Sequence, residues 1–517
     1  MSERRRRGHC ISAADGEGVK RCTEVASGNL FDISCISFLT KFPIKAKAVS
    51  GRDSKQFPDK KRDSLRIHLS IPTLTEAVSE FISVYQRKGN LKVYQRKGKK
   101  KKRVLPQQQT FELPDEIVWE IMIRLPVESL ARFKTVSKAW LAIISDPSFV
   151  RAHLQCSKQK QHRNPSHFLI NPKFLLEISN ADAFSTNIQF YQWCLQENMM
   201  RSTATLLYGR HFPTSEFGRV SDMAHCDGLM LLPTDTKVYV FNPATKDTIA
   251  LPESQRNMMW HHRCLPVGLG LDTSTGKYKV ARSFYRSRCS DPVEIVAMGM
   301  EVFTINGKHG SWRETLVDPP YPILSSQAAT HYKGCLFYSI DKNNLQRPPH
   351  GLVRFSLADE TFGVTPLITN IYPEVDHDDF FISEFDGELC CTYLCSHLQR
   401  VLVFTTRGVD HPKWSLRYLI NVQSHFYPLV PLGSGRILLR GGNCLLGYNL
   451  EASEIEVGER FDMDEIRYLA PSQDTLGRAW ENVLWFDLIS YTESLVPVTP
   501  KLLNHIDTSE ACSRQTS

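Results

Sequence analysis

A glycine-led phrase recurs through the second half of this chain, and it constrains the fold more than any other feature. Asp227-Gly228 precedes Leu229–Leu232, Lys333-Gly334 precedes Cys335–Tyr338, Asp386-Gly387 precedes Glu388–Cys391, and Ser434-Gly435 precedes Arg436–Leu439. Each pair is a turn that starts a strand, because glycine reaches the positive φ angles a tight hairpin needs. A second apolar strand follows and ends on an aromatic and a small polar residue: Val240-Phe241-Asn242, Arg354-Phe355-Ser356, Val403-Phe404-Thr405 and Gly447-Tyr448-Asn449. A degenerate fifth copy runs from Gly276 to Val302-Phe303-Thr304, and its Trp312 stands where Trp414 stands in another copy. Successive copies start about 50 residues apart, room for about four short strands each, which points to a β-propeller, where radial repetition leaves no long sheet edge exposed. Strands at His167 to Ile170 and Ala204 to Tyr208 supply a further unit, and Val483 to Ser490 adds a strand that closes the ring. Six blades are expected, with five or seven as neighbours and a pair of β-sandwiches as the rival architecture.

Ahead of this region, the pattern is helical. In Phe111 to Leu154, Pro114 sits in the first turn of a helix, where a missing N–H costs nothing, and Asp115 and Glu116 place negative charge at its start. Ile117, Ile121 and Leu125 fall at helical spacing until Pro126 ends that helix and opens the next, which carries Leu130 and Phe133. Ser137 is an N-cap for a third helix with Trp140, Leu141 and Ile144, and Asp146-Pro147 caps a final turn holding Phe149 and Leu154. Helices this short cannot bury all of that apolar surface among themselves, so a partner is implied.

Leu113-Pro114, Ile121, Arg124-Leu125-Pro126, Leu130, Phe133, Val136-Ser137-Lys138, Trp140 and Ile144 together resemble the F-box. The resemblance implies that the module binds the small Skp-type adaptor of SCF ubiquitin ligases, and through it a cullin. The adaptor-binding residues it implies are Leu113, Pro114, Ile117, Ile121, Leu125, Pro126, Leu130, Val136, Lys138, Trp140 and Ile144, with Trp140 foremost as a large aromatic in a desolvated interface. From His225 onward, the phrases CDGLMLLP, VYVFNPATKDTIALP, GLGLDTSTGKYKVARSFY and SWRETL are similar to the F-box-associated domains of plant F-box proteins, most closely those of grasses. The implied protein is a substrate receptor that holds an unknown target on its propeller for ubiquitination and degradation, with no catalysis of its own. A nuclear scaffold using the same adaptor is the alternative. A glycan-binding or enzymatic propeller is the third, and it requires ionisable groups in the central channel.

The expected organisation is α plus all-β: a mostly disordered basic region at 1–110, the helical module at 111–156, the propeller at 165–497 and a disordered tail at 498–517. The net charge of +8 hides an asymmetry, since residues 1–110 hold about 25 basic and 10 acidic groups and the remainder is mildly acidic. Most of the excess lies in Arg87 to Arg103, which contains VYQRKG in tandem with an earlier copy at Val84. Lys99, Lys100, Lys101, Lys102 and Arg103 read as a nuclear-import signal, or as a solvated linker. Nucleus, cytoplasm or both are the expected compartments. Specific nucleic-acid binding lacks a basic domain to support it. The 14 cysteines lack paired spacing, which favours a reducing compartment, and no apolar run reaches the roughly 18 residues that cross a bilayer.

Motifs that carry chemistry are sparse in this chain. The P-loop, HExxH and GxSxG patterns are missing. Cys390, Cys391, Cys395 and His397 are the best metal-like cluster, but same-face positions along a strand splay rather than converge, so no metal and no cofactor are expected. His261, His262 and Cys264 lie in a loop with Trp260, read as a surface that meets a partner. The acidic stretch Asp376 to Asp379 reads as a solvated turn. The loops Asn257 to Pro266, Asp341 to His350 and Tyr372 to Phe380 depart from the repeat and carry Trp260, His261, His262, Arg347 and Tyr372, which makes them candidate substrate contacts.

Overall fold

The computed structural model describes residues 115–163 and 167–499, apart from the connections 175–186, 195–202, 214–222, 287–296, 369–379 and 470–482 and gaps of one to three residues elsewhere. The chain divides into two units, residues 1–119 and 120–517. Of the first, only 115–119 is described, as the opening of a helix. The Lys99–Arg103 run, the VYQRKG repeats, Leu113, Pro114 and the 500–517 tail lie outside the described residues.

Four helices come first: α1 (Asp115–Met122), α2 (Val127–Phe133), α3 (Lys138–Ile144) and α4 (Pro147–Arg163). The expected caps are present. Ser137 is extended and its hydroxyl accepts from the Trp140 N–H at 3.1 Å, and the Asp146 carboxylate accepts from the Ser148 N–H at 2.7 Å. That hydroxyl and amide pairing, with the Ser148 side chain foremost, holds the Asp146 carboxyl below its ordinary value. The α1 stripe was expected to run through Leu125, but the helix ends at Met122, and Leu125 continues in a tighter turn whose N–H reaches the Met122 carbonyl. Proline at 126 disfavours helical geometry in the residue before it, which unwinds the last turn early. The fourth helix is far longer than the final turn expected, because Gln155 to Arg163 contains no helix breaker until Pro165.

The β region is a six-bladed ring. Blade 2 comprises Ala224–Cys226, Leu229–Pro233, Val238–Asn242 and Asp247–Ala250, each antiparallel to the next. Blade 3 runs Val267–Asp272, Lys277–Tyr285, Met298–Thr304 and Arg313–Glu314; blade 4 runs Thr330–Tyr332, Cys335–Ser339, Gly351–Ser356 and Phe362–Pro366. Phe380–Phe385, Glu388–Cys395, Arg400–Thr406 and Ser415–Asn421 form blade 5, and Tyr427–Gly433, Arg436–Gly441, Cys444–Asn449 and Glu454–Asp462 form blade 6. Blade 1 joins both ends of the ring. His167–Phe174, Asn187–Cys194 and Thr203–His211 receive Val483–Ser490 as their inner strand, and Arg467–Leu469 lies parallel along the outer one.

The repeated phrase is the hairpin between the first and second strand of a blade. Asp227, Lys333 and Asp386 have φ near +50° and the glycines after them near +75°, the paired left-handed geometry that a two-residue hairpin requires. First strands pack against one another around the ring, so they line its centre. Because strands alternate in direction, every first-to-second turn lies on one face, together with every third-to-fourth turn. Second-to-third loops and blade-to-blade connections lie on the other. The aromatic that ends the repeated phrase is core: Phe241, Phe355 and Tyr448 are buried, and each lies in a cluster shared between neighbouring blades. The two tryptophans have equivalent jobs. Trp312 donates its indole N–H to the Pro252 carbonyl at 2.7 Å and Trp414 to the Pro366 carbonyl at 2.9 Å, each tying its blade to the preceding one.

Candidate functional site

The helical module sorts the implied adaptor residues into two sets. Leu130 and Ile144 are wholly buried, and Trp140 is 5% exposed with its ring edge-on to Phe133 at 5.7 Å. These three build the module's own interior, which corrects the expectation that Trp140 is the foremost outward contact: α2 and α3 fold back on each other and consume it. Ile121 and Leu125 are half-buried, Pro126 and Lys138 are exposed, and Val136 is 37% exposed. Ile117 lies in α1, and its side chain is outside the described residues. Leu141, which the sequence reading placed on α3 without assigning it to the surface, is 46% exposed. Helical spacing alone does not single it out, since Leu141 and Ile144 are three apart and so neighbours on the helix surface. Val136 and Leu141 are thus the exposed large apolar side chains among the described residues of the module.

The module is seated by α4. Val150 and Leu154 pack into the core between blades 2 and 3, beside Leu229, Leu231, Val267 and Leu269. His153 is buried, donates from Nε2 to the Leu125 carbonyl at 2.9 Å, and has its pKa lowered by burial, so it sits neutral between α4 and the end of the first helical turn region. Farther along, Lys158 pairs with Asp227 in the blade 2 turn, and His162, one helical turn on, pairs with Asp386 in the blade 5 turn at 3.2 Å. Gln161 donates to the His167 carbonyl at 2.7 Å and to the Ser490 hydroxyl at 3.1 Å in blade 1. Blades 2 and 5 are opposite one another in a ring of six, so this helix spans the mouth of the central channel.

Beneath that mouth lies a polar cluster that crosses three blades. Asp227 also accepts from the Tyr278 hydroxyl at 2.8 Å. His331 of blade 4 accepts from the Leu271 N–H at Nε2, 3.3 Å away, and its Nδ1 faces the Cys226 thiol at 3.4 Å. Burial lowers the His331 pKa to about 4 and pushes the Cys226 thiol well up. A protonated, buried thiol is not a nucleophile. Gly270 is required here, because a Cβ would collide with the His331 ring and Leu357. Other ionisable groups on the first strands are His225 and Glu384, both solvent-exposed, and the Gly387 N–H donates to Glu384 at 2.6 Å. Ionisable groups therefore do occupy the channel region, so the condition that would have eliminated a ligand-binding propeller is not met.

Cys390, Cys391 and Cys395 are buried in blade 5, with Cys391 and Cys395 on the blade 4 side and Cys390 on the blade 6 side. Burial pushes the Cys390 thiol up to about 11 and raises the Cys391 thiol well above its ordinary value. Among the described residues, no three His, Cys, Asp or Glu side chains group as metal ligands; His397 lies outside them. The described parts of the loops singled out in the sequence, Met259–Trp260, Arg263–Cys264 and Asp341 to His350, lie on the face away from α4. Arg347 is exposed there, and Met259–Trp260 pairs with Arg263–Cys264 in a small hairpin, while His261, His262, Tyr372 and Asp376–Asp379 lie outside the described residues. The same face carries Leu316 and Val317, both highly exposed. Here the loops tie to each other: Ile323 bridges Ile340, and His350 donates to the Ile368 carbonyl at 2.9 Å.

The fold is thus a six-bladed propeller with a helical module on one face and longer loops on the other. Comparison with known families places it more closely. The F-box domain matches residues 111–152, and the F-box associated beta propeller domain matches residues 175–425. The chain thus carries an F-box domain followed by an F-box-associated propeller domain, the pairing found in plant F-box proteins. It is similar to a putative F-box protein of Arabidopsis thaliana, 25% identical over 54% of this chain and 61% of that one, so it spans less than two thirds of that relative. It is also similar to a putative F-box/kelch-repeat protein of the same plant, 25% identical over 61% of this chain and 73% of that one. Among solved structures, one chain of a nidogen/laminin complex is similar at a TM-score of 0.32 and 10% identity over 59% of this chain and 97% of that one.

Proposed function

We propose that this protein is the substrate receptor of an SCF-type ubiquitin ligase. Its F-box binds a Skp-type adaptor and through it a cullin, and the loop face of its propeller holds a target protein. The observation that carries this reading is the exposed pair Val136 and Leu141 on an F-box whose interior is already filled by Leu130, Trp140 and Ile144. An apolar pair left outside a finished core has a partner's surface as its natural cover. The receptor contributes proximity: catalysis resides in the enzyme recruited through the cullin, and holding a target lysine near it raises the effective concentration of the reacting groups.

The test is co-purification of the adaptor with Leu141→Asp and Val136→Asp, each with its melting midpoint measured. Loss of adaptor at an unchanged midpoint supports the assignment, and full retention by both refutes it. Replacing Lys99–Arg103 by glutamine in a fluorescent fusion tests the nuclear part of the proposal; an unaltered nuclear fraction removes it.

A further inference from the structure

Chain continues past the strand that closes the ring, and what it does there has no counterpart in the repeat. The Tyr491 N–H donates to the His167 carbonyl at 2.9 Å, and the segment then crosses the α4 face beneath the helical module. Asn242, wholly buried at the end of a blade 2 strand, donates its side-chain amide to the Ser494 carbonyl at 2.9 Å and the Val496 carbonyl at 2.8 Å. Asn306 of blade 3 donates to the Pro497 carbonyl at 2.9 Å. The backbone passes so close to the blade 2 turn that a Cβ at Gly228 would collide with the Thr492 carbonyl oxygen. On its other side the segment meets the helices: Val496 and Val498 share a core with Val150 and Leu154 of α4. Most telling is Glu493, whose carboxylate accepts from the Val127 N–H at 3.0 Å, at the start of α2. Pro126, the residue at the N-cap position, makes no side-chain cap there, so a residue 366 positions away does that work.

We infer that residues 491–499 are a strap that fixes the angle between the F-box and the propeller, with Glu493 as its positioning residue. This rests on the receptor reading above, since an angle matters only where one face holds the adaptor and the other a target. The strap touches blades 1, 2 and 3 on one side and both α2 and α4 on the other. A module held by α4 alone could pivot about that helix; fastening α2 as well gives a second, non-collinear point and removes the pivot. Proximity catalysis depends on that, because a target lysine that wanders spends less time within reach of the thioester it attacks.

The experiment uses the full-length protein bound to adaptor and cullin, with spin labels at Ala131 in α2 and Arg347 on the loop face, introduced through an unnatural amino acid so that native cysteines stay untouched. The native protein should give one narrow distance distribution. Glu493→Ala should broaden it at least twofold, and Glu493→Gln, which keeps an oxygen to accept the Val127 N–H, should restore it. Asn306→Asp, in an exposed turn that tolerates the change, removes the donor to Pro497 and should broaden it to a lesser degree, which covers the case in which Glu493→Ala does not fold. Mapping self-ubiquitinated lysines should show a wider set in the broadened variants, while adaptor affinity stays within twofold. A narrow distribution in both Glu493→Ala and Asn306→Asp overturns the strap, as does failure of Glu493→Gln to rescue. Absence of adaptor binding by the native protein would instead overturn the receptor reading, with the distances still deciding the strap in the free protein.

Discussion

The two faces of this propeller are built from the same blades and differ in how their connections are secured. On the α4 face, tight left-handed turns, a helix and a strap interlock through named pairs: Lys158 with Asp227, His162 with Asp386, Asn242 with Ser494 and Val496. The loop face has longer connections, a small hairpin and the fully exposed Leu316, held by a few ties such as Ile323 to Ile340. A surface that must hold one geometry spends its residues on internal pairs, and a surface that must meet a foreign molecule leaves side chains outward.

The comparison can be broken at several depths. Trp140→Ala should remove the interior of the helical module and cost about 3–5 kcal/mol locally, read as early proteolysis of 115–163 with the propeller transition unmoved. Leu141→Ala should leave that transition in place and weaken adaptor binding by about 1–2 kcal/mol; equal behaviour of the two variants would erase the distinction between interior and docking surface. Next comes pH. His331 has its pKa depressed to about 4, so the fold favours its neutral form; the stability this contributes is present above pH 6.5 and is lost as pH falls toward 4, on the order of 3 kcal/mol at the acid end. His331→Gln should flatten the midpoint over that interval, and an unaltered acid slope would show that the three-blade cluster does not report on stability. Gly228→Ala should cost about 2–3 kcal/mol against about 1 kcal/mol for Gly387→Ala, since both have φ near +77° but only the first also meets the strap, nothing lying within 4 Å of a Cβ at the second. Equal midpoints would mean the strap yields freely. The smallest effect belongs to the loop face: Leu316→Ser should change stability by under about 0.5 kcal/mol, and a larger loss in a thermal melt would show that this side chain packs somewhere.

Local rules carried the fold far. Asp227-Gly228 and its equivalents dictate left-handed turns whatever lies around them, so five blades were visible from their repeats, while the first was inferred from isolated apolar strands and Val483 to Ser490 was expected to close the ring. The adaptor surface was legible only by kind. Leu130, Trp140, Leu141 and Ile144 have the same chemistry, and which of them faces inward follows from how α2 and α3 meet α4, a long-range matter. The length of α4 was missed because Gln155 to Arg163 is polar and shows no stripe; its helix is held by single pairs with distant turns. Nothing in Glu493, a lone acid among Tyr491, Thr492 and Ser494, advertises that it completes a helix 366 residues earlier.

Closing the ring with Val483–Ser490 puts a constraint on synthesis. A ribosome emits the helices before the blades, yet the first blade has no inner strand until Val483–Ser490 has emerged, and the helices have no complete seat until Thr499 follows. A message cut before the codon for Val483 would yield an open ring with an unmoored docking module, exposing the apolar edges that chaperones and proteases recognise. Residues 483–499 thus certify that the blades before them are present.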